Sequence, residues 1–152
     1  MPVMVLGADT PLGEVILNEL IQPDREVRAF VSDPEFAARY KARGVKVALG
    51  DLSDVSHVEA ACLNCFTVVA VGPAVVDGRE LAFESDPARL AAGWAEAVAG
   101  ARITRLIWVG EPRPGHPVRV PEQANLEVAA DPSDIAREVA RLDDAASLDS
   151  AG

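Results

Sequence analysis

Apolar residues in this chain come in short runs of strand length, separated by segments of helical period and by turn signals. Val3-Met4-Val5-Leu6 is the first run, and residues 12–21 (LGEVILNELI) then repeat apolar positions at spacings of three and four. The alternation recurs. Residues 26–32 (EVRAFVS) predict a second strand, 33–43 a helix stopped by Gly44, and 45–49 a third short strand. A helix over 56–64 carries Val58, Ala61 and Cys62 on one face. Residues 66–71 (FTVVAV) are almost continuously apolar, as a strand covered by helices on both faces is. Gly72-Pro73 breaks that strand and a looser stretch follows over 74–85. Asp86-Pro87 opens an alanine-rich helix that ends near Gly100, and 103–109 (ITRLIWV) read as a fifth strand.

Past Gly110 the texture changes. Residues 111–121 (EPRPGHPVRVP) are too rich in proline for a helix. A short strand is expected over 126–130 and a helix over 131–144, with Ile135, Val139 and Leu142 on one face. No repeat is visible beyond the βα unit. That unit, repeated, predicts an α/β fold: a doubly wound, Rossmann-like parallel sheet with right-handed crossovers. The expected strand order is 3-2-1-4-5, and a short sixth strand is a further possibility. Residues 1–144 are expected to form a single domain, and 145–152, small and polar, a flexible tail.

The stretch 3–13 (VMVLGADTPLG) carries the first chemistry. A strand turns at Gly7 and feeds a helix that opens at Thr10-Pro11, a good N-cap followed by the residue best tolerated at the first helical position. Free N–H groups and the helix dipole then point at one spot, which makes an anion site. In a βαβ unit such a site takes a dinucleotide pyrophosphate.

Charge and composition narrow the partners. The net charge is −10, with 14 basic against 24 acidic residues, so neither nucleic acid nor an anionic membrane surface is an expected partner. The apolar runs are far too short to span a bilayer. The N-terminus MPVMVL lacks a basic leader region, and a cytoplasmic protein is expected. Cys62 and Cys65 form CLNC, a spacing that suits a redox pair. Here, however, the pair closes a helix, where the dipole does not favour a thiolate, and packing is the simpler expectation. His57 and His116 do not complete an evident four-ligand metal site.

GADTPLG resembles the GxxGxxG turn of short-chain dehydrogenase/reductase-like proteins, particularly their extended and atypical (NmrA-like) branch. Gly7 and Gly13 match the outer glycines, and Thr10 replaces the middle one. Asp51-Leu52 resembles the pair that binds the adenine amino group. Val71-Gly72 resembles the segment along the cofactor ribose, and Arg28-Ala29-Phe30-Val31 the strand that ends at the 2′ position. Ser32 and Asp33 follow it. A carboxylate there favours a free ribose hydroxyl, so NAD is favoured over NADP, with Arg39 as a counterweight. The resemblance thus implies a dinucleotide held by Gly7, Thr10, Leu12, Gly13, Ser32, Asp33, Asp51, Leu52, Val71 and Gly72. Thr10, Pro11 and Asp9 each weaken the pyrophosphate site, by a Cβ, a missing N–H and a negative charge.

The family's Tyr-x-x-x-Lys pair is absent. Tyr40, the only tyrosine, lies on the helix after the second strand, and Glu111 stands where the family commonly has serine. Glu111 and His116 remain as acid or base candidates near the carboxyl ends of the strands. Trp94, with Leu90, Ala91 and Val98, reads as core or as a homodimer contact. Two functions follow. One is an NAD(P)-binding protein without the family's catalytic pair, a sensor or a minimal reductase. The other is a degenerate Rossmann domain without nucleotide, acting through a homodimer or another partner.

Overall fold

The computed structural model describes residues 1–76, 86–128 and 131–148. In chain order, β1 (Val3–Leu6) leads to α1 (Pro11–Leu20), β2 (Val27–Val31), α2 (Pro34–Ala42) and β3 (Lys46–Leu49). There follow α3 (Val55–Cys62), β4 (Thr67–Val71), a 3-10 turn (Gly72–Val76), α4 (Pro87–Gly100), β5 (Arg105–Val109), β6 (Glu122–Leu126) and α5 (Pro132–Asp144). The sheet runs β3-β2-β1-β4-β5-β6 and every pairing is parallel. The α/β, doubly wound order expected from the sequence is therefore found, with the sixth strand beside the fifth.

Four of the five described helices begin with one device. Thr10, Asp33, Asp86 and Asp131 accept a backbone N–H of the first turn, and proline occupies the next position. The side chain satisfies an orphan donor, and proline withholds one that would have had no partner. The fifth, α3, is capped by Asp54. Strands β1, β4 and β5 are buried along their whole length. α1 packs against α5, and α3 against α4. Right-handed crossovers place these two pairs on opposite faces of the sheet.

The expected sixth strand over 126–130 is corrected. β6 lies at Glu122–Leu126, in register with β5 from Arg105↔Glu122 to Val109↔Leu126. The reason is electrostatic. Arg105, fully buried on β5, donates to Glu122 Oε1 at 3.0 Å and so selects this polar segment as its neighbour. The same guanidinium donates to the carbonyls of Leu142 (2.7 Å), Asp143 (3.1 Å) and Ala145 (2.8 Å), at the end of α5. Leu148 N–H donates to Glu122 in turn, and the Leu148 side chain packs on the core. The start of the expected tail is thus tied to β5 and β6, while 149–152 lie outside the described residues.

Replacing Arg105 with Met takes the guanidinium donor from three carbonyls at the end of α5 and leaves Glu122 only the Leu148 N–H. A loss of about 3–5 kcal/mol is expected, read as a fall in the urea midpoint at unchanged slope.

Candidate functional site

The turn between β1 and α1 stands where the strand order reverses, with β2 on one side of β1 and β4 on the other. Gly7 has φ +84°, a left-handed conformation that glycine adopts without strain. A Cβ there would also lie 2.5 Å from the Cβ of Ala74, so the 3-10 turn after β4 sits directly on it. Gly13 is required by the turn itself, since a Cβ would come within 2.1 Å of the Gly7 carbonyl oxygen. Thr10 Oγ1 donates to that oxygen at 2.8 Å and accepts from Gly13 N–H at 3.0 Å. Glu14 N–H goes to the Thr10 carbonyl, and Pro11 has none. Within the first helical turn, this leaves the Leu12 N–H as the amide available to an anion.

The stretch Gly7 to Thr10 is buried. Asp9, 6% exposed, turns its carboxylate to the end of β2. Its Oδ2 accepts from Ser32 N–H at 2.9 Å, Asp33 N–H at 3.1 Å and Ser32 Oγ at 3.3 Å. Asp9, read in the sequence only as a charge beside the anion site, thus joins the turn to Ser32 and Asp33. The Asp33 carboxylate is committed elsewhere: Oδ1 accepts from Glu35 N–H at 2.9 Å as the cap of α2. Arg39 faces α1, 3.6 Å from Glu14 and stacked 4.3 Å over the Phe36 ring.

Asp51 and Leu52 stand beyond β3, two strands from β1. Asp51 Oδ1 accepts from both Ser53 N–H (2.8 Å) and Ser53 Oγ (2.7 Å) in a local turn, while Asp54 caps α3. The Leu52 side chain is buried in the core, and its carbonyl accepts from Trp94 Nε1 at 2.8 Å. Val71 is fully buried beneath Gly7. Gly72 is pressed against the end of β5, where a Cβ would meet the Val109 oxygen at 2.7 Å. The structure therefore gathers Gly7, Thr10, Gly13, Ser32, Asp33, Val71 and Gly72 around one turn, with Leu12 at the helix mouth. Asp51 and Leu52 lie farther along the same edge.

Other candidates have structural roles. Tyr40 is 2% exposed and donates to the Ala8 carbonyl at 2.6 Å, bracing the turn from α2. Burial first, and the Glu14 carboxylate next, push its pKa upward. Cys62 and Cys65 are free and buried, and burial raises both thiols. His57 is half-buried, edge-on to Phe30 at 5.0 Å and seated over Gly50, more enclosed than a surface side chain. Trp94 packs against Trp108 at 6.0 Å, and Leu90, Ala91 and Val98 are buried within this one chain, so that face is core. Glu111 follows β5 and lines a hollow of about 360 Å³ with Pro73, Arg113 and Val128. His116 lies apart from it, on a groove of about 820 Å³ along α4. No group of three potential metal ligands stands together among the described residues, and no described helix is long and apolar enough to cross a membrane.

A glycine turn at the point of strand reversal defines a doubly wound domain of Rossmann type, a class that binds nucleotides at this edge of the sheet. Residues 7–145 match the family described as NAD(P)H-binding, and the chain belongs to that family. The site residues fit such a ligand: an unclaimed helix-terminal amide at Leu12, next to a carboxylate and hydroxyl at the end of β2. They offer fewer pyrophosphate contacts than a full glycine motif.

No curated protein matches the sequence. Among solved structures the fold is similar to ChuY, an anaerobilin reductase from Escherichia coli O157:H7, at 16% identity and TM-score 0.68, covering 99% of this chain and 94% of that one. It is also similar to a Rossmann-fold NAD(P)-binding family protein from Shigella flexneri, at 15% identity and TM-score 0.67, covering 93% and 85%. A third neighbour is the Citrobacter sp. triphenylmethane reductase complexed with NADP(H), at 20% identity and TM-score 0.60, covering 72% of this chain. This chain spans only 37% of that reductase's length. At these identities the likeness is one of fold.

Two measurements check the structural roles. Tyr40→Phe removes a buried donor from the Ala8 carbonyl and is expected to cost about 1–3 kcal/mol in urea unfolding. Native protein is expected to react slowly with an aromatic disulfide reagent, with both thiols becoming reactive on unfolding.

Proposed function

We propose that this chain binds NAD(P)(H) across the carboxyl edge of its sheet and acts as a minimal reductase. In this reading Gly7, Thr10, Leu12 and Gly13 meet the pyrophosphate, chiefly through the Leu12 N–H. Ser32 and Asp33, with Asp9 between them and the turn, meet the adenosine ribose. Asp51 and Leu52 border the adenine, and Val71 and Gly72 the segment beside the other ribose. The turn's own bracing supports the reading: hydrogen bonds of Thr10, Asp9 and Tyr40 hold it, so little ordering cost is left for binding. A chain of this length is also nearly coextensive in fold with a neighbour named as a reductase.

Bound NAD(P)H supplies the hydride, and the protein supplies position and electrostatics. Tyr40 is a strut inside the fold and contributes no proton to a substrate. A substrate reduced here takes its proton from solvent or from a side chain near the carboxyl ends of the strands, of which Glu111, just after β5, is the candidate. The burial of Tyr40 equally supports a second reading, a dinucleotide sensor without turnover.

Thermal melts with each dinucleotide, oxidised and reduced, test this proposal. Saturation at about a hundred times Kd is expected to add about 2.7 kcal/mol of stability. Turnover is then probed with anaerobilin and with triphenylmethane dyes as acceptors, the compounds for which two of the neighbours are named. Oxidation of NAD(P)H by any of them supports the reductase, and binding without oxidation supports the sensor. No shift at millimolar dinucleotide overturns both and leaves the degenerate domain that works through a protein partner.

A further inference from the structure

We propose that Asp9 sets the cofactor preference of this site toward NAD(H), by holding with its own carboxylate the donors that a 2′-phosphate would need. This inference rests on the dinucleotide reading above and assigns the choice between its two forms.

Three donors converge at the carboxyl end of β2: Ser32 N–H, Asp33 N–H and Ser32 Oγ. All three reach a single oxygen, Asp9 Oδ2, at 2.9, 3.1 and 3.3 Å. In a doubly wound sheet this is where the ribose of the adenosine half lies. Two successive backbone amides and a hydroxyl would be a ready cradle for a phosphate. Here a carboxylate from the neighbouring turn already fills it.

Asp9 is 6% exposed, so its charge is poorly screened by salt. A 2′-phosphate would have to displace it or lie against it, with like charges at close range. A 2′-hydroxyl, smaller and uncharged, needs none of these donors and meets no like-charge barrier. Asp33, the acidic residue at the position where sequence places the discriminator, is engaged as the cap of α2 through Glu35 N–H at 2.9 Å. The guanidinium of Arg39 stacks on Phe36 and faces Glu14, on the α1 side. Asp9 is therefore the buried charge that holds the subsite's donors, and Asp33 the partly exposed one that caps α2.

The test is calorimetric titration of wild type, Asp9→Asn, Asp9→Thr and Asp33→Asn with NADH and NADPH, with circular dichroism as the check on folding. Wild type is expected to bind NADH at least about tenfold more tightly. Each Asp9 variant is expected to lower that ratio about tenfold or more, chiefly through tighter NADPH binding, while Asp33→Asn leaves it within about twofold. Equal affinities in wild type overturn the proposal. So does an unchanged ratio in a folded Asp9 variant, or a ratio that moves in Asp33→Asn instead. If both Asp9 variants fail to fold, the wild-type ratio and Asp33→Asn still decide. Wild type binding neither dinucleotide is a different result: it removes the dinucleotide reading itself.

Discussion

The guanidinium of Arg105 joins parts of this fold that have little else in common. It is fully buried on β5, yet its partners lie outside that strand: Glu122 on β6, the carbonyls at the end of α5, and the Phe66 ring before β4. A helix C-terminus presents orphan carbonyls and the negative end of a dipole, and an arginine fork answers both. α5, so anchored, packs against α1, and α1 begins at the turn that forms the candidate site. The geometry of the site therefore depends on a charge on the far side of the sheet's reversal point. Without it, β6 keeps its backbone pairing, the Gln123 bonds to the Val118 and Val120 carbonyls and the partial burial of Ala124 and Leu126, but no charged anchor on β5.

The site is braced in the same manner, by polar side chains that reach across elements. Tyr40 comes from α2 to the Ala8 carbonyl, Asp9 leaves the turn for the end of β2, and Ala74 closes on Gly7 from beyond β4. Each contact is short-ranged, and together they fix a loop that is often shaped by its ligand. The glycines at 7 and 13 follow from this closure, since their missing Cβ atoms would strike protein atoms. Their presence agrees with nucleotide binding without being caused by it.

The strands and helices that bury a full face were legible in the sequence because burial imposes a period. β1, β4 and β5 read as apolar runs, and the caps Thr10, Asp33, Asp86 and Asp131 with their prolines marked four helix starts nearly to the residue. β6 was misplaced because it is chosen by an ion pair between residues 17 positions apart, and no local pattern carries that information. The site was legible in part. Thr10 as a cap is a local feature. Asp9 reaching Ser32 and Asp33 is not, because their encounter exists only once β1 and β2 lie side by side. Nor does any local pattern show that the Leu52 side chain belongs to the core and its carbonyl serves Trp94, 42 positions away.

The polarity of β6 has one more consequence. A parallel sheet must end somewhere, and its last strand presents unpaired backbone groups to any extended chain that passes. An apolar strand there would invite a neighbour to add to the sheet. Glu122, Gln123 and Asn125 make that edge poorly suited to such addition, and Arg105 supplies from within the hold that apolar packing would otherwise give. The same residues that hide β6 from pattern reading also discourage the sheet from growing from one molecule into the next.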